Sequence, residues 1–120
     1  MRLSTGTGVV TILLLAVTSA CAVSLDVLLG QTRLVRTGEV FDTATVRNGG
    51  ILILDGGTIS NGSPSITVEA GGRFIFNAGQ IRYFENWGST EIYGGTQGSP
   101  SSENRGYLKY AGGDPGIQVV

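Results

Sequence analysis

Residue types that carry out chemistry are scarce in this chain of 120 residues. It contains no histidine, one cysteine (Cys21) and one lysine (Lys109), so catalysis by a histidine base and soft-metal ligation lack their usual groups. Acidic and basic residues nearly balance, and the formal net charge of −1 provides no basic face for nucleic acid. We therefore expect no catalytic residue, no cofactor and no nucleic-acid partner.

The acidic residues nevertheless fall at repeated positions. Equivalent places in four similar segments carry Arg47, Glu69, Glu85 and Glu103. Stacking of these segments would bring carboxylates within about 5 Å of one another in backbone spacing. One hypothesis is a weak calcium site at Glu69 and Glu85, with Asn86 as a further oxygen donor. The interpretation that we favour is a solvated acidic stripe in which Arg47 pairs with Glu69, and no metal.

A second set of repeated positions forms the candidate binding face. It comprises Ile53, Ile75, Glu91 and Lys109. Alternation along a strand predicts that all four side chains point outward, and the charges at two of the positions support this orientation. Ile53 and Ile75 form either a contact patch for a partner or a surface that the N-terminal segment covers. Glu91 and Lys109 are interpreted as an exposed pair between neighbouring coils.

Four aromatic residues lie near the edges of the same segments. They are Tyr83, Trp87, Tyr93 and Tyr107. Aromatic rings at such positions can stack on sugar rings, but packing into the corners of the fold is their commoner use and the interpretation that we favour.

These positions belong to a fourfold repeat rich in glycine. The repeated segments are VRNGGILILDGG (46–57), VEAGGRFIFNAG (68–79), FENWGSTEIYGG (84–95) and SENRGYLKYAGG (102–113). Each segment has one glycine at its fifth place and another seven residues later: Gly50 and Gly57, Gly72 and Gly79, Gly88 and Gly95, Gly106 and Gly113. We expect these glycines at corners, where φ is often positive or where a side chain would crowd the next coil.

The spacing between segments varies, with successive offsets of 22, 16 and 18 residues. The surplus in the first interval lies at 61–65, a cluster of turn-forming residues that predicts a loop. The variation is therefore expected wholly outside the segments. Units of this period stack on one another because none of them can bury its apolar face alone.

Residues between the paired glycines are aliphatic, aromatic or β-branched, which is typical of strands. Two columns are predicted to point inward: Leu52, Phe74, Thr90 and Leu108, and Leu54, Phe76, Ile92 and Tyr110. Val46, Val68 and Phe84, with Ser102, should line the inner side of the preceding strand. The predicted fold is all-β, a short parallel β-solenoid of about four coils, for which a right-handed helix is favoured.

Both ends of the repeat region differ from its middle. Residues 23–45 are interpreted as a cap or a degenerate first coil, in which Gly30 aligns with Gly50 and places Thr32 and Leu34 inward. Residues 116–120 resemble the beginning of a strand, so we expect either that the chain is a fragment of a longer repeat protein or that its exposed solenoid edge is used in self-association.

The first 22 residues are interpreted as a signal peptide that forms a helix before cleavage. Arg2 precedes an apolar stretch at 9–17, and Ala20 and Ala22 flank Cys21 in a pattern typical of cleavage sites. Lipid attachment at Cys21 and a membrane helix are the alternatives. Thr18 argues against the first because a lipidation motif normally carries leucine there, and the apolar stretch is short for the second. We expect the remainder, with its solenoid at 46–120, to be secreted or held at the cell surface.

The glycine-bracketed segments at 46–113 resemble the parallel β-helix repeats of autotransporter passenger domains and other bacterial surface adhesins. The resemblance implies a structural or adhesive module that binds a cell-surface or polysaccharide ligand without catalysis. The alternative is a fragment of a β-helical polysaccharide lyase or glycoside hydrolase, or a carbohydrate-binding module. An ice-binding role is less well supported, because it would need Thr-x-Thr in successive coils and only scattered threonines occur, at Thr45, Thr58, Thr67 and Thr96.

Overall fold

The computed structural model describes residues 23–98 and 102–112, and its regular elements there are all β-strands. Sheet 1 comprises β2 (Thr32–Arg36), β3 (Val40–Phe41), β5 (Ile51–Ile59), β7 (Arg73–Ile81), β9 (Ser89–Ile92), β10 (Thr96–Gln97) and β12 (Tyr107–Tyr110). Sheet 2 comprises β1 (Ser24–Val27), β4 (Thr43–Val46), β6 (Ile66–Val68), β8 (Phe84–Asn86) and β11 (Glu103–Asn104). The proposed signal peptide, Gly113 and residues 116–120 lie outside the described residues.

The chain alternates between the two sheets, and every strand pair is parallel. Each coil starts on sheet 2 and turns a corner into sheet 1, giving coils at 24–41, 43–59, 66–81 and 84–97 and a partial fifth at 103–110. The predicted all-β parallel solenoid of about four turns is confirmed. Among the described residues, none forms a helix of the length and apolarity that a membrane crossing needs.

The register of sheet 1 confirms the pairing in both predicted inward columns, and their members are buried except in the last coil, where Leu108 is partly buried and Tyr110 is 46% exposed. Phe74 pairs with Leu52 on one side and Thr90 on the other, and Thr90 pairs in turn with Leu108. The second column pairs Leu54, Phe76, Ile92 and Tyr110 in the same way. Phe74 stacks on Phe76 with ring centroids 5.7 Å apart and meets Phe84 edge-on at 6.4 Å. Stacking thus places like side chains over one another to form a continuous apolar core.

The corners from sheet 2 into sheet 1 are of two lengths. The first three coils have long corners of four residues, at 28–31, 47–50 and 69–72. The last two coils have short corners of two residues, at 87–88 and 105–106. The expectation that spacing varies only outside the repeated segments is therefore wrong, because two residues are lost inside the third segment, between its first position and its glycine.

Corner length corrects the predicted pairing within sheet 2. Val46 and Val68 stack as expected, but the next members of that column are Asn86 and Asn104. Phe84 instead pairs with Ile66, two residues earlier along the strand than expected, and it remains buried. Ser102 is also buried and accepts a hydrogen bond from the backbone amide of Phe84.

The first coil is displaced by one residue from its predicted alignment. Arg33 pairs with Leu52 and Val35 with Leu54, so Val35 is the buried residue. Thr32 is exposed and Leu34 points outward with partial burial, so their predicted inward placement is wrong. The physical reason is the turn, because Gly30 matches Gly49, with φ of +80° and +82°, and Gln31 occupies the position of Gly50.

Most of the predicted corner glycines are required by crowding. A Cβ atom on Gly50 would lie 2.6 Å from the carbonyl oxygen of Val27, and one on Gly88 would lie 2.4 Å from that of Gly72. Gly57 and Gly79 lie inside β5 and β7, where the register shifts, so their predicted placement at corners between strands is wrong. Of the seven predicted positions that the structure describes, Gly79 and Gly95 combine such crowding with a positive φ. The predicted loop at 61–65 is present and contains no strand residue, so the larger insertion lies where turn-forming residues indicated it.

Candidate binding face

The outward face of sheet 1 brings together the four residues of the candidate binding face. Ile53 pairs with Ile75, Ile75 with Glu91, and Glu91 with Lys109. Leu34 pairs with Ile53 and extends this column by one coil toward the N-terminus. Sequence reasoning missed Leu34 because it aligned the first coil one residue too early.

The N-terminal half of this column is apolar. Leu34, Ile53 and Ile75 are each partly buried, and no described segment lies across them as a lid. The suggestion that the N-terminal segment covers Ile53 and Ile75 is corrected for its described part, because residues 24–41 stack as a coil at the end of the sheets. Three adjacent apolar side chains therefore form a continuous outward strip.

The C-terminal half is a polar cluster centred on Glu91. One carboxylate oxygen of Glu91 accepts hydrogen bonds from Nη2 and Nε of Arg73, at 2.7 Å and 3.2 Å. Its other oxygen accepts the Tyr93 hydroxyl at 2.7 Å. The Tyr93 hydrogen bond and then the Arg73 guanidinium hold the pKa of Glu91 below its ordinary value. The Glu91 side chain is 15% exposed, so a carboxylate is held in one orientation on a strand.

Glu91 and Lys109, predicted as an exposed pair, form no direct contact, although the Lys109 charge adds to the Tyr93 hydrogen bond and Arg73 in lowering the pKa of Glu91. Although the two residues are neighbours in register, no ion pair joins them in the described region, and the Lys109 ammonium lies 5.5 Å from the centroid of the Tyr93 ring. The physical reason is that Arg73 and Tyr93 already occupy both oxygens of Glu91. Arg73 was not predicted, but its outward position beside Glu91 follows from the same alternation that identified Glu91.

Three of the four aromatic residues project into solvent. Trp87 is 47%, Tyr93 41% and Tyr107 59% exposed, whereas Tyr83 is partly buried. The favoured interpretation that these rings pack into corners is therefore wrong for Tyr93 and Tyr107, which stand at opposite ends of the outward strands. Trp87 does lie at a corner, with the Arg105 guanidinium 4.9 Å above its ring.

The opposite face, on sheet 2, carries the acidic residues in a different arrangement from the predicted column. Arg47 bonds Asp26 and Glu69, each at 2.8 Å, which confirms the predicted Arg47 to Glu69 pair. The hydrogen bond and charge of Asp26, with the charge of Glu69, raise the pKa of Arg47. Glu85 stacks on Thr67 instead of Glu69, so the predicted column is divided between a strand and a corner.

The geometry contradicts the calcium hypothesis. Asn86 is 1% exposed, and its amide group donates to Asn104 Oδ1 and to the Tyr107 carbonyl, each at 2.8 Å. Its Oδ1 accepts the backbone amide of Gly88, so no oxygen is directed to the surface. Glu69 is held by Arg47. Across residues 23–98 and 102–112, no group of three or more acidic, histidine or cysteine side chains is arranged to hold a metal.

The described region also contains an open cavity of about 370 Å³ at the first coil. It is lined by Leu25, Asp26, Gln31, Thr32 and Arg33. Its charged groups are engaged, since Asp26 bonds Arg47 and the Arg33 guanidinium lies 5.2 Å from the Phe41 ring. The cavity belongs to the first coil, whereas the exposed rings of Trp87, Tyr93 and Tyr107 belong to the last two coils.

Comparison with models of known protein families, with characterised proteins and with solved structures found no match to this chain.

Proposed function

We propose that this chain is a secreted or cell-surface structural module that adheres to a partner through the outward face of sheet 1, without covalent chemistry. The leader-like first 22 residues support the location, and the glycine-bracketed repeats support the role of a rigid spacer. The proposed role is to present a binding surface to a partner, because a solenoid holds a long surface in fixed geometry.

The observation that carries this proposal is the continuous outward column from Leu34 to Lys109. Its members are fixed by parallel hydrogen-bonded strands, so the spacing between coils is constant at about 4.8 Å. An apolar strip and an ordered polar cluster adjoin on this one face. Such a surface offers both desolvation and directional hydrogen bonds to a partner.

The test is adhesion of beads that carry the full chain to surfaces coated with polysaccharide, with protein or with lipid. Substitution of Ile75→Thr together with Tyr107→Ala alters the proposed face at two outward positions. The matched control is Thr45→Ala with Thr67→Ala, two partly buried outward threonines of sheet 2. We expect the first pair to abolish retention and the control pair to preserve it. Equal loss in both, or no retention on any surface, would refute the proposal.

A second candidate function is a carbohydrate-binding module or a fragment of a polysaccharide-degrading enzyme. The exposure of Trp87, Tyr93 and Tyr107 favours the carbohydrate-binding form of this alternative. Enzymatic action is tested by incubating the chain with soluble polysaccharides and measuring new reducing ends and unsaturated products. Release of either would replace adhesion with catalysis as the function.

A further inference from the structure

The C-terminal half of the sheet 1 face exposes two tyrosine rings along one ladder. Tyr107 begins β12 and pairs with Ser89, and Tyr93 lies four residues beyond Ser89. Their backbone positions are therefore roughly 13 Å apart along the strand direction. That separation suits an extended oligomer better than a single small molecule.

Lys109 supplies a positive charge beside the Tyr93 ring, with its ammonium 5.5 Å from the ring centroid. It is the only lysine of the chain, and within the described region its ammonium forms no ion pair. The nearest acid in register, Glu91, already accepts from Arg73 and Tyr93. The cluster thus carries two cations, Arg73 and Lys109, against the single carboxylate of Glu91, on which both charges act.

The acidic residues that neighbour this region in sequence face the other way. Glu85 and Glu103 stack on each other on the outward side of sheet 2. The whole chain has a net charge of −1, so attraction for an anion has to come from this local arrangement.

We infer that this surface binds an acidic polysaccharide, with Tyr93 and Tyr107 beneath sugar rings and Lys109 on an anionic substituent. This inference rests on the proposed function and names its ligand class. The C–H groups of a sugar ring carry a slight positive charge and pack on the negative face of an aromatic ring. A carboxylate or sulfate forms a charge-assisted hydrogen bond with an ammonium group.

The test measures binding of the full chain to three polymers by calorimetry: polygalacturonate, dextran sulfate and uncharged dextran. We expect binding of at least one charged polymer and weaker binding of dextran. Lys109→Gln should weaken binding of the charged polymer about tenfold and leave dextran unchanged. Binding of polygalacturonate alone assigns a uronate, and binding of dextran sulfate alone assigns a sulfated sugar.

Two further variants test whether saccharide binding depends on this surface or on the overall charge of the chain. Tyr107→Ala should weaken all saccharide binding by several-fold, and Arg82→Gln, which removes an exposed cation between the third and fourth coils, should change it less than about twofold. Unchanged melting temperatures would show that the variants are folded. Equal effects of Lys109→Gln and Arg82→Gln, or preference for dextran, would overturn the inference. Retention of beads on protein surfaces without any saccharide affinity would leave the proposed function and overturn this ligand.

The single lysine permits a second measurement that does not depend on a substitution. Acetylation of Lys109 by an amine-reactive reagent is followed by mass spectrometry, with and without saturating polymer. The charged polymer should slow acetylation of Lys109 several-fold, because an ammonium in an ion pair is protonated and shielded. The same rate with charged polymer and with dextran would contradict direct contact at Lys109.

Discussion

The first three coils and the last two differ in the residues that turn the chain from sheet 2 into sheet 1. At the corner between the sheets, the early coils use four residues closed by a backbone hydrogen bond, from Gly50 to Arg47 and from Gly72 to Glu69. The late coils use two residues, and the amides of Gly88 and Gly106 instead donate to Oδ1 of Asn86 and Asn104. At the short corners, the side-chain oxygen of an asparagine thus accepts the glycine amide that a backbone carbonyl accepts at the long corners.

The residue before the corner changes with corner length for a physical reason. Val46 and Val68 are fully buried, because a long corner satisfies its own backbone groups and leaves an apolar position beneath it. Asn86 is just as buried, but all of its polar atoms have partners, including Asn104 Oδ1 in the next coil. Burial of a polar group costs little where its hydrogen bonds are complete.

The outward face of sheet 1 also changes in character between the third and fourth coils, where the corners become shorter. The column is apolar at Leu34, Ile53 and Ile75 and charged at Glu91 and Lys109. One face therefore has two chemical halves on a single continuous sheet, and the exposed tyrosines belong to the polar half. The corner, core and surface chemistry of a solenoid can thus change together without a break in the pairing between coils.

The largest effect is expected at the short corner. A Cβ on Gly88 would lie 2.4 Å from the Gly72 carbonyl oxygen and 2.5 Å from that of Glu69, so Gly88→Ala should lower the free energy of unfolding by about 3 kcal/mol or more. Gly71→Ala at a long corner should cost about 1 kcal/mol, since its φ is +84° and its nearest neighbour is the movable Asn48 side chain. Urea unfolding of both variants measures the difference. Equal losses would show that the close approach of two backbone carbonyl oxygens to Gly88 is not the source of its larger cost.

Exchange of the residues before the corners should destabilise the protein in both directions. Asn86→Val leaves the Gly88 amide and the Tyr107 carbonyl without their partner and should cost about 2 to 3 kcal/mol. Val68→Asn buries an amide at a corner already closed by the backbone and should cost a similar amount, about 2 kcal/mol. Thermal unfolding measures both effects. A neutral Asn86→Val would show that the short corner does not depend on the side-chain amide.

Removal of a buried hydroxyl in the fourth coil should stabilise the protein, in contrast to the two preceding substitutions. Thr90 is fully buried in the column of Leu52 and Phe74, and its Oγ1 has no hydrogen-bond partner among the described residues. Thr90→Val should therefore raise the free energy of unfolding by about 1 kcal/mol. The control is Thr67→Val on the outward side of sheet 2, with an expected change within about 0.5 kcal/mol. Destabilisation by Thr90→Val would indicate that the hydroxyl is satisfied in solution.

The smallest effect is the pH dependence of the polar cluster. The folded pKa of Glu91 lies below its ordinary value of 4.5, so the ionised carboxylate stabilises the fold above pH 4.5, and this contribution is lost as the pH falls through the lowered pKa. The melting temperature of the native chain should therefore exceed that of Glu91→Gln near neutral pH, and the two should converge in acid. Tyr93→Phe should reduce the difference, because the Tyr93 hydroxyl is the first cause of the lowered pKa. A difference that is independent of pH would contradict this assignment.

The inward columns of sheet 1 were predictable because alternation between paired glycines sets the face of each strand. The contraction of the short corners was missed because alignment on glycine hides two residues lost before it. Its signal was present in the sequence as Asn86-Trp87-Gly88 and Asn104-Arg105-Gly106, an asparagine two residues before a glycine. The first coil was misaligned because Gln31 replaces one of two adjacent glycines.

The members of the candidate face were predictable, but their pairing was not. Alternation places Glu91 between Ile75 and Lys109 but does not decide which cation it contacts. Arg73 reaches it diagonally from the neighbouring strand, and Tyr93 closes the other oxygen from the same segment. Such choices depend on rotamers of exposed side chains, which a repeat pattern does not specify.

The proposed adhesion and its ligand both depend on one surface, the straight outward column formed by residues 53, 75, 91 and 109. Nitroxide labels at Ile53 with Ile75, with Glu91 or with Lys109, in a Cys21→Ala background, measure it by electron paramagnetic resonance. Label distances should increase in this order, because the backbone spacing rises by about 4.8 Å from one coil to the next. Distances that do not increase in this order would contradict the outward column.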